Sequence, residues 1–403
     1  MKILFVGTNL PMPANSGQGI RSLSIIQALQ SMGHELSFVS FAPRELPNNL
    51  DSFRARFHSM DLVEKEVVNM TADGNYLSRL VALLGLKCFS LERFKCGAMR
   101  ERIQRMLAER QYDLLVSDGI FAMTNIPENK VPIALNCHNV EHIILRRYAQ
   151  VETNPAKKLY AVLESLLLRS GERRCCVQSS VVLACSQLDL EILRSLYPGI
   201  RGFVVPNVID TELVRPTEEP SESSRPVLLF QGGMDWYPNR DAVEYFVRDI
   251  LPRVRTQYPE VRLIAAGRNP PPRFVERFKS DSGVHFTGTV PDMGPYLAMA
   301  SVVIVPLRVG GGTRIKILEA CAGGKPIVST RIGAEGLELK PGKEIVLCDD
   351  PMEFAEAIAE LLHNPVRAKA MSVAARAVVL EHYGPAALRQ SLEHVFSGLS
   401  SIS

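Results

Sequence analysis

One stretch, from Val302 to Glu335, constrains the fold more than any other part of the chain. It begins with Val302–Val305, a continuous β-branched run that predicts a strand buried on both faces of a parallel sheet. Three glycines follow, Gly310 to Gly312, and a helix is predicted to begin near Thr313 as its N-cap. Because the free N–H groups and positive dipole end of such a helix point into the glycine turn, the pattern favours an anion there.

The predicted helix carries one acidic residue, Glu319, about two turns from its start. Glu319 shares a face with Lys316 and Thr313, because side chains three and four residues apart line up on a helix. A carboxylate in that position can accept two hydroxyl groups of a ribose or a hexose. The other interpretation is a packing unit in which Arg314 and Lys316 are solvated and Glu319 pairs with a nearby lysine. This stretch alone leaves both interpretations open.

Length and composition indicate a cytosolic protein of two domains. A chain of 403 residues is expected to form two domains of ~200 residues each. Eight cysteines without Cys-x-x-Cys spacing are typical of a reducing compartment. Lys2 leads directly into a short strand, so no signal peptide is expected, and the longest apolar run, Leu80–Leu86, is far below the ~18 residues of a membrane span. The net charge is small, +3, and no nucleic-acid partner is expected.

The chain opens with a strand, a helix and a strand, at Lys2–Gly7, Gly19–Met32 and Glu35–Phe41. This order predicts a doubly wound α/β domain. The loop from Thr8 to Gly19 lacks the third glycine of the dinucleotide fingerprint, so no nicotinamide cofactor is expected.

Three residues at the start of the first helix are candidate ligands. Ser16, Gly17 and Arg21 lie where the carboxyl end of a strand meets a helix N-terminus, a place where an acceptor or a phosphate could dock. The alternative is a glycine turn with a serine N-cap and a solvated arginine.

A second group of polar residues, Cys137–His142, follows another predicted strand. A histidine at a strand end, His138, can contact a sugar hydroxyl or steady developing charge. The alternatives are a structural histidine, or a metal bound by His138 and His142, for which no third ligand is evident. A long basic helix is predicted next, Val140 to Arg174, with a break at Pro155. The strands predicted in this half are Leu62–Val68, Asp113–Ser117, Pro132–Asn136 and Ser180–Ala184.

After a polar connection, Thr217 to Arg225, a second alternation of strands and helices begins. It includes a helix at Asn239–Thr256. The predicted strands are Pro226–Gln231, Val261–Ala266, Val284–Thr287, Val302–Val305, Ile327–Ser329 and Glu344–Leu347. Open α/β sheets bind ligands outside the carboxyl ends of their strands, so two sheets in tandem predict a site in the cleft between them.

These motifs together resemble the retaining family-4 glycosyltransferases of the GT-B fold. The resemblance rests on PLRVGGGTRIKILEACAGGKPIVSTRIGAEGL, on LLFQGGMDWYPN and PNVID before it, and on PMPANSGQGIRS and CHNVEH in the first half. It spans nearly the whole chain and is closest to bacterial enzymes of exopolysaccharide synthesis. It implies two Rossmann-like doubly wound domains facing across a cleft, with residues 1–208 on the acceptor side and 209–384 on the donor side. A C-terminal helix near residues 385–400 is expected to pack back on the first domain.

The resemblance implies that a hexose moves with retention from a nucleotide diphosphate sugar, of GDP-mannose or UDP-glucose type, to a lipid-linked glycan acceptor. No metal ion or other cofactor is implied. Glu319 carries over as the carboxylate that binds the ribose. The first Glu of the family's Glu-x7-Glu motif falls on Gly311, and the usual basic pair is missing from Gly233–Pro238. Arg314 and Lys316 are expected to supply that charge from the helix start.

The same resemblance places His138 near the anomeric carbon of the donor. Trp236, the only tryptophan, could stack on a sugar or a nucleobase, or anchor the core. The expected catalytic residues are His138 and Glu319; the expected donor ligands are Gly233, Gly311, Gly312, Thr313, Arg314, Lys316 and Glu319; the expected acceptor ligands are Ser16, Gly17, Arg21 and Asn139. Two alternatives remain, a same-fold nucleotide-sugar 2-epimerase and an inactive sugar-nucleotide-binding scaffold.

The segment Tyr76 to Arg102 indicates where the first domain could meet a membrane. It mixes Leu, Val and Phe with six Lys and Arg residues and only two Glu. That composition predicts peripheral contact with an anionic surface at the inner membrane. The alternative is that its apolar residues are core and its charged residues form a solvated face.

Overall fold

The computed structural model describes residues 1–65, 76–211, 214, 216 and 225–400. It divides into two compact units, Met1–Pro206 together with Leu388–Ser403, and Asn207–Ala387. Each unit is built on one parallel sheet, so the predicted pair of Rossmann-like α/β domains is confirmed. No helix of the described residues is long and apolar enough to cross a membrane.

The sheet of the first unit has seven strands in the order β3-β2-β1-β4-β5-β6-β7. All neighbouring strands are parallel, and residues 3–6 of β1 are fully buried, as expected where helices cover both faces. The winding direction reverses between β1 and β4, which opens a crevice at the carboxyl ends of these strands. The strands are β1 Lys2–Val6, β2 Glu35–Phe41, β3 Ser59–Val63, β4 Leu114–Asp118, β5 Ile133–Asn136, β6 Val181–Ala184 and β7 Gly202–Val204.

The break predicted at Pro155 in the long basic helix is confirmed. The long basic helix is two helices, because proline lacks the N–H that a continuous helix needs and is tolerated only in the first turn. Asn154 caps the second of them by accepting from two backbone N–H groups. The helices are α1 Gly17–Ser31, α2 Leu50–Arg54, α3 Tyr76–Leu84, α4 Phe89–Glu92, α5 Gly97–Glu109, α6 Ile120–Met123, α7 Glu141–Val151, α8 Pro155–Gln178 and α9 Gln187–Leu196.

The sheet of the second unit has six strands in the order β10-β9-β8-β11-β12-β13, again all parallel. The winding reverses between β8 and β11, so the crevice of this sheet lies at their carboxyl ends. The strands are β8 Val227–Gln231, β9 Arg262–Ala266, β10 Val284–Gly288, β11 Val302–Val305, β12 Ile327–Ser329 and β13 Val346–Leu347. The helices are α10 Tyr237–Tyr245, α11 Leu251–Arg255, α12 Pro272–Glu276, α13 Gly294–Met299, α14 Ile315–Ala322, α15 Pro351–His363, α16 Pro365–His382 and α17 Pro385–Ser400, which continues into the first unit.

Several predicted boundaries are corrected. The helix predicted at Asn239–Thr256 is interrupted by a π-helical turn at Phe246–Ile250, just before Pro252, whose missing N–H breaks the α-helical pattern. The predicted strand Glu344–Leu347 shortens to β13, because the Glu344 carboxylate accepts from the Lys340 backbone N–H at 2.6 Å and closes a turn. The strand predicted at Leu62–Val68 is β3, displaced toward the N-terminus, and residues 66–68 of the prediction lie outside the described residues.

The C-terminal part of α17 packs on the first unit. The Arg201 guanidinium donates to the carbonyl oxygen of Gly398. The ring of Phe396 lies edge-on to His34 with 4.9 Å between centroids, and His394 lies 5.3 Å from Phe203. These contacts tie α17 to the β7 edge and to the loop after α1.

Candidate active site

Arg314 holds the glycine loop after β11 together from within. Its guanidinium, 8% exposed, donates to the carbonyl oxygens of Gly311 and Gly312 and, at 3.2 Å, to that of Ile332. Gly310 cannot carry a side chain, since its φ is +156° and a Cβ would lie 2.6 Å from the same guanidinium. Arg314 is expected to contact the donor, and in this structure its guanidinium donates to loop carbonyls.

The helix α14 begins at Ile315 rather than near Thr313, and its N-cap residue is extended without a side-chain cap bond. Thr313 does not cap the helix because its hydroxyl group accepts from Asn207 Nδ2 at 2.6 Å. Within the described part of the chain, the backbone N–H groups of Gly311, Gly312 and Thr313 form no hydrogen bond. Three consecutive free donors ahead of a helix N-terminus are candidate ligands for an anion.

Lys316 brings a positive charge to the end of β8. Its side chain is partly buried, and its ammonium group donates to Asn239 Oδ1 at 2.9 Å and lies 4.2 Å from the centre of the Phe230 ring. A Cβ on Gly232 would fall 2.8 Å from Lys316 Nζ, so this glycine makes room for the amine. Desolvation and the charge of Arg314 lower the pKa of Lys316 to about 7, while the charge of Glu319 opposes that shift. An anion bound beside the amine would favour its charged form.

Glu319 lies one turn beyond Lys316 on the same face of α14. Desolvation raises the pKa of Glu319 to about 7, while the charge of Lys316 opposes that shift. Gln231, the last residue of β8 and 2% exposed, donates weakly from Nε2 to Glu319 Oε2 at 3.5 Å. Its Oε1 atom has no hydrogen-bond partner among the residues that the structure describes. The carboxylate and the amide together offer donors and acceptors that suit the hydroxyl groups of a sugar.

The loop after β8 is shaped by close backbone contacts. Gly267 at the end of β9 approaches so closely that a Cβ there would lie 2.0 Å from the carbonyl oxygen of Gly232. Asn239 Nδ2 donates to the carbonyl oxygen of Gly233 at 2.8 Å, whereas the Gly233 N–H group forms no hydrogen bond within the described ranges. Trp236 is 50% exposed, so the interpretation of this residue as a core anchor is wrong.

The crevice of the first unit contains a buried carboxylate, Asp118, the last residue of β4. It is 3% exposed and accepts hydrogen bonds from Ser22 Oγ at 2.7 Å, Asn136 Nδ2 at 2.8 Å and His138 Nε2 at 2.9 Å. Burial alone would raise the pKa of Asp118, but the charge of His138 and these hydrogen bonds lower it overall. Because an ionised carboxylate can only accept, the proton of the His138 ring must sit on Nε2. When the ring is neutral, Nδ1 is therefore the atom with a lone pair to offer.

Arg21 belongs to the support of this network rather than to a binding surface. It is 2% exposed, and its guanidinium donates to Asn136 Oδ1 at 2.9 Å and to the carbonyl oxygen of Val205 at 2.7 Å. It was expected either to contact the acceptor or to be solvated, and its burial excludes both. Burial also lowers the pKa of Arg21. Arg21 thus links β5 to the chain segment that leaves β7 and fixes the Asn136 side chain that holds Asp118.

The other predicted acceptor ligands lie at the ends of α1 and β5. Ser16 is the N-cap of α1, and its Oγ atom accepts from the Gly19 backbone N–H at 3.1 Å. Gly17 is the first residue of that helix. Asn139, next to His138, donates to Glu141 Oε1 at 2.9 Å and remains half-buried.

His142 belongs to a separate cluster. Its Nδ1 atom lies 2.6 Å from Glu172 Oε2, and the same carboxylate accepts from the Tyr197 hydroxyl at 2.9 Å. The two histidines of the CHNVEH motif therefore pair with different carboxylates. No group of three metal-ligating side chains occurs in the described residues.

Two important residues, Asp118 and Gln231, were not predicted from the sequence. Each is a polar residue that ends an apolar strand, in the runs LLVSD and VLLFQ. That position brings the side chain to the carboxyl edge of a sheet, and it is the signal that could have identified both.

Comparison with known proteins identifies both units as parts of a glycosyltransferase. A model described as Glycosyltransferase Family 4 matches residues 15–213, and one described as Glycosyl transferases group 1 matches residues 225–364. An uncharacterized 44.6 kDa protein in the cps region of Klebsiella pneumoniae is 20% identical over 400 residues, which cover 95% of this chain and 96% of that protein. A GDP-mannose-dependent α-(1-6)-phosphatidylinositol monomannoside mannosyltransferase of Mycolicibacterium smegmatis is 33% identical over 147 residues, or 33% of this chain and 38% of that protein.

Among solved structures, Anabaena HepE in complex with UDP-glucose superimposes with a TM-score of 0.69 at 15% sequence identity. The superposition covers 99% of this chain and 100% of that chain, which shows that the fold is shared. The resemblance inferred from the sequence motifs is confirmed. The chain belongs to the nucleotide-sugar-dependent glycosyltransferases of the group 1 and family 4 type, with the GT-B fold.

Proposed function

We propose that the protein is a hexosyltransferase that takes a hexose from a nucleotide diphosphate sugar and passes it, with retention, to a lipid-linked glycan in exopolysaccharide synthesis. One observation carries the donor half of this proposal. Three backbone N–H groups, 311–313, have no hydrogen-bond partner among the described residues, and they precede a helix whose second residue is Lys316, with a desolvated ammonium group. A diphosphate needs this combination of N–H donors and a cation.

The proposal gives each group at the second sheet a role. The free N–H groups and Lys316 bind the diphosphate, and Glu319, supported by Gln231, binds the ribose hydroxyls. As the bond to the hexose breaks, negative charge grows on the diphosphate, and fixed donors stabilise that charge more than they stabilise the intact donor. Lys316 replaces the basic pair that is missing after β8, because its amine lies beside Gly232 at the end of that strand. No metal ion takes part in this proposal, and full activity in excess EDTA is the expected result.

The nucleobase is best determined by a thermal-shift comparison of UDP, GDP and their sugars. HepE was solved with UDP-glucose, whereas the mycobacterial relative uses GDP-mannose, so both bases are tested. A ligand at 100 times its dissociation constant stabilises the protein by ~2.7 kcal/mol, a shift that is easily measured. If no nucleotide diphosphate or sugar nucleotide shifts the transition, the proposed donor site is wrong.

For the acceptor, the support comes from relatives. The Klebsiella relative is encoded in a cps region, and the mycobacterial relative acts on a phosphatidylinositol mannoside, which is a lipid. We propose that the protein works in the cytoplasm at the inner membrane, with the acceptor near Ser16, Gly17 and Asn139. Radiolabelled donor incubated with membrane lipid extracts should give a butanol-soluble product. The anomeric configuration of that product, read by NMR, tests retention. Label released only as free hexose would exclude the acceptor class.

Glu319→Gln is expected to weaken donor binding without unfolding the protein. A hydrogen bond to a charged group is worth ~1.5–3 kcal/mol, so KM for the donor should rise roughly ten- to a hundredfold. The glutamine keeps the size of the side chain, and the transition temperature should change little. A matched donor analogue with 2′-deoxyribose should bind the parent and the variant more equally. Unchanged KM for the ribose donor would remove Glu319 from the site.

A further inference from the structure

The longest helix of the first unit, α8, exposes aliphatic side chains along one face. Leu159, Val162 and Leu166 are 61%, 41% and 58% exposed, and their spacing places them on one stripe of the helix. Val177 continues the stripe toward the C-terminus and is 57% exposed. Exposed aliphatic residues are ordinary when scattered, but a row of them on one helix indicates a surface that meets a partner.

The same helix exposes positive charge and no negative charge. Its acidic residues, Glu164 and Glu172, are 1% and 0% exposed. Glu164 accepts from the backbone N–H and the hydroxyl group of Ser90, both at 2.7 Å, and Glu172 accepts from His142 and Tyr197. None of the exposed basic residues of α8 forms an ion pair within the described chain. These residues are Lys157, Lys158, Arg169, Arg173 and Arg174.

The helix α3 extends this surface. The Arg79 guanidinium lies 5.7 Å from the Tyr160 ring centre on α8 and 5.8 Å from that of Phe89 on α4. This contact brings α3 beside the N-terminal half of α8. The end of α3 and the turn after it expose further residues, namely Val81, Leu84 and Leu86, which are 61%, 76% and 80% exposed, and Lys87.

The predicted segment Tyr76 to Arg102 is thus divided. Its second half is core, since Phe89, Leu91 and Phe94 are buried. Two of its basic residues are paired, Lys95 with Glu92 and Arg102 with Asp61. Only the part that ends at Lys87 joins α8 at the surface.

We propose that the α3–α8 surface docks on an anionic lipid bilayer. This surface comprises Val81, Leu84, Leu86, Lys87, Lys158, Leu159, Val162, Leu166, Arg169, Arg173, Arg174 and Val177. Aliphatic residues that enter the acyl boundary and basic residues that meet anionic headgroups are the two contributions that hold a helix in the membrane interface. The inference deepens the proposed function, on which it rests for its benefit to catalysis, because it names the surface that would bring the first unit to a lipid-linked acceptor.

A second copy of the chain fits this surface less well. Two such surfaces in contact would bring cations against cations, whereas an anionic bilayer offers the complementary charge. The aliphatic stripe alone would suit either occupant, so the exposed positive charge decides between them.

Sedimentation with vesicles tests the surface without any activity measurement. The full chain is mixed with vesicles of phosphatidylcholine alone, or of phosphatidylcholine and phosphatidylglycerol in equal parts. We expect it to pellet only with the anionic vesicles and to be released by high salt. Lys158→Glu, Arg169→Glu and Arg173→Glu combined should weaken binding about hundredfold or more, at roughly fivefold per charge. Leu159→Ser with Leu166→Ser should also weaken it, by roughly tenfold per side chain.

Matched controls come from the second unit. Val366 and Val373 of α16 are 79% and 59% exposed, and Val366→Ser with Val373→Ser should leave binding to vesicles unchanged. Lys340→Glu controls for a single surface charge.

If the parent chain stays in the supernatant with anionic vesicles, or if both α8 variants pellet as the parent does, the docking surface is wrong. A dimer in light scattering that Leu159→Ser with Leu166→Ser dissolves would also overturn it, in favour of self-association. Donor-induced thermal shifts should be the same in all variants, so failure of this inference is distinguishable from failure of the proposed donor site.

Discussion

Replacing Lys316 with methionine should weaken donor binding roughly ten- to a hundredfold and lower kcat by a further factor of about 10². The two losses have different origins. The first is a charge-assisted contact with the diphosphate of the bound donor, and the second is the stabilisation of charge that develops on the leaving group. Isothermal titration with the nucleoside diphosphate measures the first, and steady-state kinetics at saturating donor measures the second.

The stability of Lys316→Met should move in the opposite direction from its activity. Holding a desolvated amine between Asn239 and the Phe230 ring costs free energy, as the lowered pKa of about 7 shows. An apolar side chain of similar length removes that cost, so the variant should unfold at the same temperature or a higher one. Lys325→Met is the matched control at the other end of α14. Its amine is 5% exposed and donates to the Ala298 carbonyl oxygen at 2.9 Å. That control should lose stability and keep donor affinity, and the reverse pattern would contradict the role of Lys316.

A pH series adds a third measurement on the same pair. As pH rises above about 7, Lys316 loses its proton, so affinity for an anionic donor falls. As pH falls below about 7, Glu319 gains a proton and loses the charge that holds ribose hydroxyls. Donor affinity should therefore be greatest near neutral pH. In Lys316→Met the alkaline decline should disappear, and the acidic decline should move upward, because the charge of Lys316 no longer lowers the pKa of Glu319.

The sequence predicted the strands of both sheets except β7, Gly202–Val204, because their signals are local. A β-branched run, three glycines and an amphipathic helix determine strand, turn and helix within a few residues, and the observed β11 and α14 follow that pattern. The direction of the Arg314 side chain was not predictable in this way. It depends on the backbone angles of Gly310 and Gly312, which turn the loop carbonyls toward the guanidinium.

Contacts between distant segments account for the other differences. Lys316 reaches Gly232 at the end of β8 only because β11, the strand that precedes α14, lies next to β8 in the sheet. Asp118 meets Asn136 because β4 and β5 are neighbours in register, a pairing that alternating strand patterns do not specify. Arg21 reads as a surface residue near a helix start, yet the Asn136 and Val205 acceptors that bury it come from β5 and from the end of β7. The order of the strands in each sheet, rather than the local sequence pattern, determines the contacts of these residues.

Replacing His138 with alanine should lower kcat by about 10² and leave donor affinity within a few-fold of the parent. His138 is proposed to steady the charge that develops at the anomeric carbon, so its loss should affect turnover rather than binding. Its ring is held by Asp118, and Asp118→Asn should therefore lower kcat by about tenfold, because a neutral amide replaces a charge-assisted acceptor. Steady-state kinetics at saturating donor measures both effects. Both variants should keep the circular dichroism of the parent, and a loss of that signal would favour a structural role for the residue.

A measurement on the His138 ring itself distinguishes positioning by Asp118 from simple structural support. In the parent, the charged Asp118 fixes the proton on His138 Nε2, and nitrogen NMR of the labelled histidine should show that single tautomer. In Asp118→Asn the amide can donate or accept, so both tautomers should appear. Ser22→Ala is the control, because it removes another hydrogen bond to Asp118 and leaves the His138 contact in place. It should cost about 1 kcal/mol of stability and leave kcat and the tautomer unchanged. If Asp118→Asn keeps a single Nε2–H tautomer and full turnover, Asp118 does not position His138.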